Sequence, residues 1–173
     1  MSVGKIYGYQ WRSWADNVDQ LQILLEGLKT NPTSRRHLLT TYDPAVLDDM
    51  CLPPCHVLTQ FHVTNVGYLD CAVTMRSVDL CLGLPSDVVL YAALTILIAA
   101  EVGLRPGTIT FMMGNTHVYT NHIATWHDQR IKPICSAPSY SLKQPIAVEA
   151  FMPTDISIHD YHHSGKMSYA FNV

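Results

Sequence analysis

In the stretch LPPCHVLTQF, residues 52–61, Cys55 and His56 stand side by side behind two prolines. A thiol does nucleophilic chemistry as the thiolate, and a thiolate needs positive charge close by. The chain offers Arg35, Arg36 and Arg76 for that purpose. Arg76, followed by Ser77, ends an otherwise apolar run; a guanidinium placed there must find a partner, and a phosphate suits its planar fork. Each feature also has a plainer reading. Free cysteine is among the residue types most often buried, so Cys55 by itself fits a core thiol. The pair Arg35-Arg36 fits an ordinary solvated pair, and His117 and Tyr119, which alternate onto one strand face, fit satisfied core groups. No metal site is expected, because Cys51 and Cys55 lack a second Cys/His pair at zinc-ligand spacing and the adjacent His162 and His163 point apart.

These residues must be held by regular elements. Val18, Leu21, Leu24, Leu25 and Leu28 recur at helical spacing between Asp16 and Leu28, and Asn31-Pro32 stops the pattern. Strands are expected at 36–43, 55–64 and 67–77, the last two joined as a hairpin across Asn65-Val66-Gly67. Residues 87–102 are apolar on nearly every face, which predicts a helix buried against a sheet and ended near Gly103. Further strands are expected at 107–120 and 144–152. The pattern is α+β: a mixed or antiparallel sheet on one long buried helix, in a single domain spanning residues 1–173.

Composition narrows the function. Eleven basic against fourteen acidic residues, with no basic run beyond Arg35-Arg36, give no surface for a nucleic acid polymer. The longest apolar run, Val88 to Ala100, is too short to span a bilayer, and the first residues lack the apolar core of a signal peptide. Five scattered cysteines fit reduced thiols and hence a cytoplasmic setting, the host cytoplasm if the source is viral.

Six segments follow one another in a telling order: YGYQWR (7–12), VDQLQ (18–22), NPTSRR (31–36), LPPCH (52–56), RSVDLCLGLP (76–85) and GNTHVYTNH (114–122). In this order and at these intervals they resemble the thymidylate synthase family. The resemblance implies that Cys55 adds to C6 of a pyrimidine nucleotide and so activates C5 toward the one-carbon unit of 5,10-methylenetetrahydrofolate. It further implies Tyr7 in proton transfer near the base, His56 beside the nucleophile, and Arg76 and Ser77 on the nucleotide phosphate. Arg35 and Arg36 would reach in from the other subunit of a homodimer formed by the second sheet face. His117, Tyr119 and Tyr161 match sugar-binding positions, and Asp79, Leu82 and Gly83 match the folate-facing segment.

The departures carry information. The family reads PFN at the head of the long helix, and this chain reads Pro85-Ser86-Asp87. An asparagine amide both donates and accepts, whereas an ionised aspartate only accepts. An acceptor suits the exocyclic amine of cytosine and repels O4 of uracil, although Asp87 also fits a helix cap. The change resembles the deoxycytidylate hydroxymethylase branch, found in phages, and implies dCMP converted to 5-hydroxymethyl-dCMP, with dUMP methylation or hydroxymethylation as alternatives. The family also carries a long segment ahead of YGxQW that the chain does not match. Either a separate polypeptide supplies it, or the chain is a truncated product, or activity is lost; a non-catalytic subunit serving a complete partner is the alternative of a different class.

Overall fold

A computed structural model describes residues 3–144 and 146–172. Helix α1 (Tyr7–Arg12) and helix α2 (Gln20–Thr30) precede strands β1 (Leu38–Thr40), β2 (His56–Val63) and β3 (Tyr68–Asp79). Helix α3 (Gly83–Glu101) then leads to β4 (Arg105–His117), helix α4 (Ile123–Arg130) and the short strands β5 (Ser139–Leu142) and β6 (Ile156–His159).

The main sheet has the order β1-β2-β3-β4, antiparallel except for the parallel pair β3 and β4. Parallel neighbours need a crossover, and α3 supplies it. The hairpin between β2 and β3 closes through Gly67, whose φ of +80° a side chain would resist. At Gly114 a Cβ would meet the carbonyl oxygens of Met75 and Arg76 at 2.9 Å, so glycine lets β4 close onto β3 beside Arg76.

Period-two alternation sorts β3 from Leu69 to Met75. Leu69, Cys71, Val73 and Met75 are buried toward α3 and α2, where they meet Leu24, Leu25, Leu28, Phe61, Tyr91 and Ile98. Burying each large apolar side chain contributes roughly 1.5–3 kcal/mol, so this layer holds the two helices to the sheet. The opposite face exposes Gln60, His62, Thr108, Thr110 and Met112.

Several expectations change. Helix α2 begins at Gln20, four residues after Asp16, because Asp19 caps it by accepting from the Gln22 N–H at 2.9 Å. Helix α3 is longer than the run that predicted it. At 19 residues it has the length and composition to cross a bilayer, yet it packs across β3 and β4 with Tyr91, Leu94, Leu97 and Ile98 buried. It ends as expected, with Gly103 at φ +74° just beyond it. The strand expected over 144–152 is absent among the described residues. Pro145 lies outside them, and Val148–Ala150 is a single 3-10 turn. Tyr119 does not share a strand face with His117, because β4 ends at His117 and Tyr119 heads a 3-10 turn; the two rings meet edge-on, centroids 5.0 Å apart. Helices α1 and α4 and the β5–β6 hairpin were unanticipated.

Candidate active site

Cys55 stands immediately before β2, where three elements converge. Its backbone N–H donates to the Tyr7 hydroxyl at 2.9 Å, and its carbonyl accepts from the Arg76 N–H at 2.9 Å. Tyr7 comes from α1, which Trp11 anchors by donating its indole N–H to Thr41 Oγ1 at 2.9 Å. Burial raises the Tyr7 phenol above its ordinary range, with the neighbouring Cys55 and Asp87 adding to the rise against its backbone hydrogen bonds, so it stays protonated at neutral pH. Arg76 donates from Nε to the Pro54 carbonyl at 2.8 Å and from Nη2 to the Pro53 carbonyl at 2.6 Å. Two of its five N–H donors therefore brace the loop that carries Cys55. The partner expected for this arginine was a phosphate; in the free chain it is the loop.

His56 is re-aimed by a β-bulge. The register of β2 on β3 slips between His56 and Leu58, so His56, Thr59 and Phe61 all turn toward α3, where strict alternation would send His56 and Thr59 to opposite faces. His56 is 4% exposed. Its Nε2 lies 2.9 Å from Asp87 Oδ1, its Nδ1 lies 3.0 Å from the Tyr91 hydroxyl, and Thr59 Oγ1 lies 3.2 Å from that hydroxyl. The Tyr7 ring stands 4.9 Å from the imidazole on another side.

Asp87 is not the cap of α3. The capping position is Leu82, which makes no side-chain cap bond, and Asp87 is the fifth helical residue. Its carboxylate is spent on His56 through Oδ1, while Oδ2 borders the space beside Gly83, whose missing Cβ would lie 3.9 Å away.

A second cluster lies across the turn into α3. Asp79 Oδ1 accepts from the Cys81 N–H at 2.9 Å, and Asp79, Cys81 and His122 each place a donor atom within 4.8 Å of the others, a set that could hold a metal ion. The sequence reading missed this trio because His122 lies about forty residues beyond Asp79 and Cys81 in the chain. His122 reaches the Ala170 carbonyl through Nε2 at 2.7 Å, and among the described residues its buried Nδ1 has no partner. Burial, then the Asp79 charge, raises the Cys81 thiol. Leu82 lines a cavity of about 470 Å³ that extends to Tyr161 and Tyr169.

The structure thus brings Cys55, His56, Tyr7, Asp87 and Arg76 together. Ser77 lies next to Arg76 on β3, in register with Asn115, and Asp79 pairs with His117. Tyr161, exposed, borders the second cluster's cavity. Arg35 and Arg36 are exposed on the connection from α2 to β1, and among the described residues neither guanidinium makes a hydrogen bond or ion pair. Tyr91 and Thr59 were missed, although Tyr91 follows Asp87 by four residues and therefore shares its helix face.

The thymidylate synthase family model matches residues 1–173. The chain belongs to the thymidylate synthase family. It is similar to the bifunctional dihydrofolate reductase-thymidylate synthase of Leishmania major, 38% identical over 186 aligned positions. That match covers 98% of this chain and 36% of the relative, so the chain spans little more than a third of that relative's length. Within the thymidylate synthase family frame, the α+β fold and the mixed sheet packed on a long helix stand as expected.

Proposed function

We propose that the chain transfers a one-carbon unit from 5,10-methylenetetrahydrofolate to C5 of dCMP, giving 5-hydroxymethyl-dCMP. The Cys55 thiolate adds to C6, C5 attacks the one-carbon unit and loses its proton, and tetrahydrofolate leaves. Water then adds to the exocyclic methylene as Cys55 departs. Tyr7, kept protonated by burial, would serve proton transfer near the base. Arg76 and Ser77 would take the phosphate, joined by Arg35 and Arg36 of a second copy docked on the open sheet face. His117, Tyr119 and Tyr161 would hold the sugar, and Asp79, Leu82 and Gly83 would face the folate.

The observation that carries the cytosine reading is Asp87 itself. It lies a full turn inside α3, accepts from His56 at 2.9 Å and keeps a second carboxylate oxygen for a ligand. That oxygen accepts from the cytosine amine and repels uracil O4; a water held by the carboxylate would donate to N3. Family membership favours a second reading, dUMP methylation, because the Leishmania major relative is named a thymidylate synthase.

Tritium release from 5-tritiated dCMP and dUMP, with and without methylenetetrahydrofolate, separates the two. The expected result is folate-dependent release from dCMP at least tenfold above dUMP. Faster release from dUMP would return the chain to uracil chemistry, and release from neither would support the non-catalytic subunit.

A further inference from the structure

We infer that Tyr91 is a positioning residue that sets base preference through His56, by fixing the direction of a buried hydrogen-bond chain that ends on Asp87. The inference rests on the reading of Asp87 as the group that faces the base. Thr59 and Tyr91 are fully buried and His56 nearly so. Their polar atoms form one line: Thr59 Oγ1 to Tyr91 Oη at 3.2 Å, Tyr91 Oη to His56 Nδ1 at 3.0 Å, and His56 Nε2 to Asp87 Oδ1 at 2.9 Å.

Each link holds one hydrogen, so the choice at one end decides the others. An ionised Asp87 can only accept, and His56 Nε2 must therefore carry a proton. A neutral imidazole then has a bare Nδ1, which only a donor satisfies, and Tyr91 is the donor in reach. Burial raises the Tyr91 phenol far above its ordinary range, so that proton is not given up near neutrality. The phenol oxygen in turn accepts from the Thr59 hydroxyl, and no polar atom of the line is left over. For a neutral imidazole the reverse direction, with Nδ1–H donating to Tyr91, would set two lone pairs against each other at the His56–Asp87 contact unless Asp87 took up a proton.

The directed chain has a consequence for recognition. His56 always spends an N–H on the inner atom of residue 87, so the outer atom is whatever that residue has left. Aspartate presents an acceptor, which suits an amine on the ligand. An amide at the same place would give its oxygen to His56 and turn its NH₂ outward, a donor for a carbonyl. Tyr91 thus holds the frame within which one substitution switches the base.

Two measurements test this. In protein labelled with nitrogen-15 histidine, long-range proton–nitrogen spectra should show His56 with the proton on Nε2, and Tyr91→Phe should lose that pure state. A wild-type Nδ1–H tautomer overturns the chain, whatever the protein binds. In nucleotide binding, Tyr91→Phe should narrow the dCMP over dUMP preference about tenfold, the worth of one buried hydrogen bond. Thr59→Val, two links away, should narrow it less. In an Asp87→Asn background the same Tyr91→Phe change should instead narrow a preference for dUMP. A purely structural tyrosine would weaken both nucleotides alike in both backgrounds, and that pattern, with thermal melts confirming folded protein, overturns the role. Equal wild-type affinity for dCMP and dUMP alongside an Nε2–H tautomer overturns the base reading of Asp87 and the preference-setting role with it.

Discussion

The two ends of the turn into α3 carry nearly the same residue types, wired differently. Around Cys55 stand His56, Asp87, Tyr7 and Tyr91; around Cys81 stand Asp79, His122 and Tyr169. In the first group both imidazole nitrogens are engaged, and the cysteine is braced through its backbone on both sides. In the second, Asp79 spends an oxygen on the Cys81 backbone, and the His122 Nδ1 has no partner among the described residues. Residue types alone therefore do not mark a reactive thiol. Solvent access, opposing charge and a saturated surround separate them, and the contrast can be attacked at the thiols, the carboxylates and the imidazoles in turn.

The thiols should differ most. Cys55 is partly exposed beside the Arg76 loop, whereas burial raises both Cys81 and Cys71. Cys71 is pushed up to about 11, which leaves a thiolate fraction of roughly one in ten thousand at pH 7. Iodoacetamide near neutral pH should therefore alkylate Cys55 at least a hundredfold faster than Cys71 and also faster than Cys81, and dCMP should protect Cys55. The exposed Cys51 and Cys135 give the reference rate for ordinary thiols. Peptide mapping over time reads all five, and equal rates at Cys55 and Cys81 would erase the distinction.

Next come the carboxylates. Asp87→Asn should move the ratio of dCMP to dUMP dissociation constants by roughly ten- to a hundredfold toward dUMP, since a mismatched buried polar contact costs about 1–3 kcal/mol. Asp79→Asn should leave that ratio within about twofold, because Asp79 faces the other cluster. Calorimetry with both nucleotides on both variants decides it. A matching shift at Asp79 would mean that the base is not read at Asp87.

How far the sequence carried depends on what each part needed. The β2–β3 hairpin and α3 declare themselves because alternation and uniform apolarity are local signals, and Cys55 stood out behind two prolines just ahead of such a run and Arg76 at the end of one. The bulge at His56 is invisible locally: strict alternation places Thr59 opposite His56, and only the pairing with β3 turns both toward α3. Tyr91 was hidden for the converse reason, since a tyrosine in an apolar helix looks like packing until its hydroxyl is seen against His56. Asp87 looked like a helix cap because the start of α3 was read at Asp87 and not at Gly83. The trio of Asp79, Cys81 and His122 spans more than forty residues and exists only once β4 has returned beside β3. Residues 139–159 gave the weakest pattern and the one outright strand error, because β5 and β6 are four residues each with little burial to impose alternation.

The imidazoles should give the smallest difference, and they test the wiring most directly. Glutamine can place one amide group where a histidine places Nε2, but it has nothing at the Nδ1 position. Among the described residues only Nε2 of His122 is engaged, donating to the Ala170 carbonyl at 2.7 Å, and Nδ1 is buried with no partner there. His122→Gln keeps the useful donor and removes an unsatisfied acceptor, so its net cost should be within about 0.5 kcal/mol. At His56 both nitrogens are engaged, so His56→Gln must abandon either Tyr91 or Asp87. Leaving a buried hydroxyl or a largely buried carboxylate unpaired costs about 1–3 kcal/mol. Urea unfolding of the two variants against the parent chain gives both numbers, with unchanged slopes confirming that the same surface is exposed in each. His56→Gln should be the less stable by about 1 kcal/mol or more. Equal losses would mean that the His122 Nδ1 has a partner in solution, or that the His56 line is not closed, and the Tyr91 tautomer measurement then tells which.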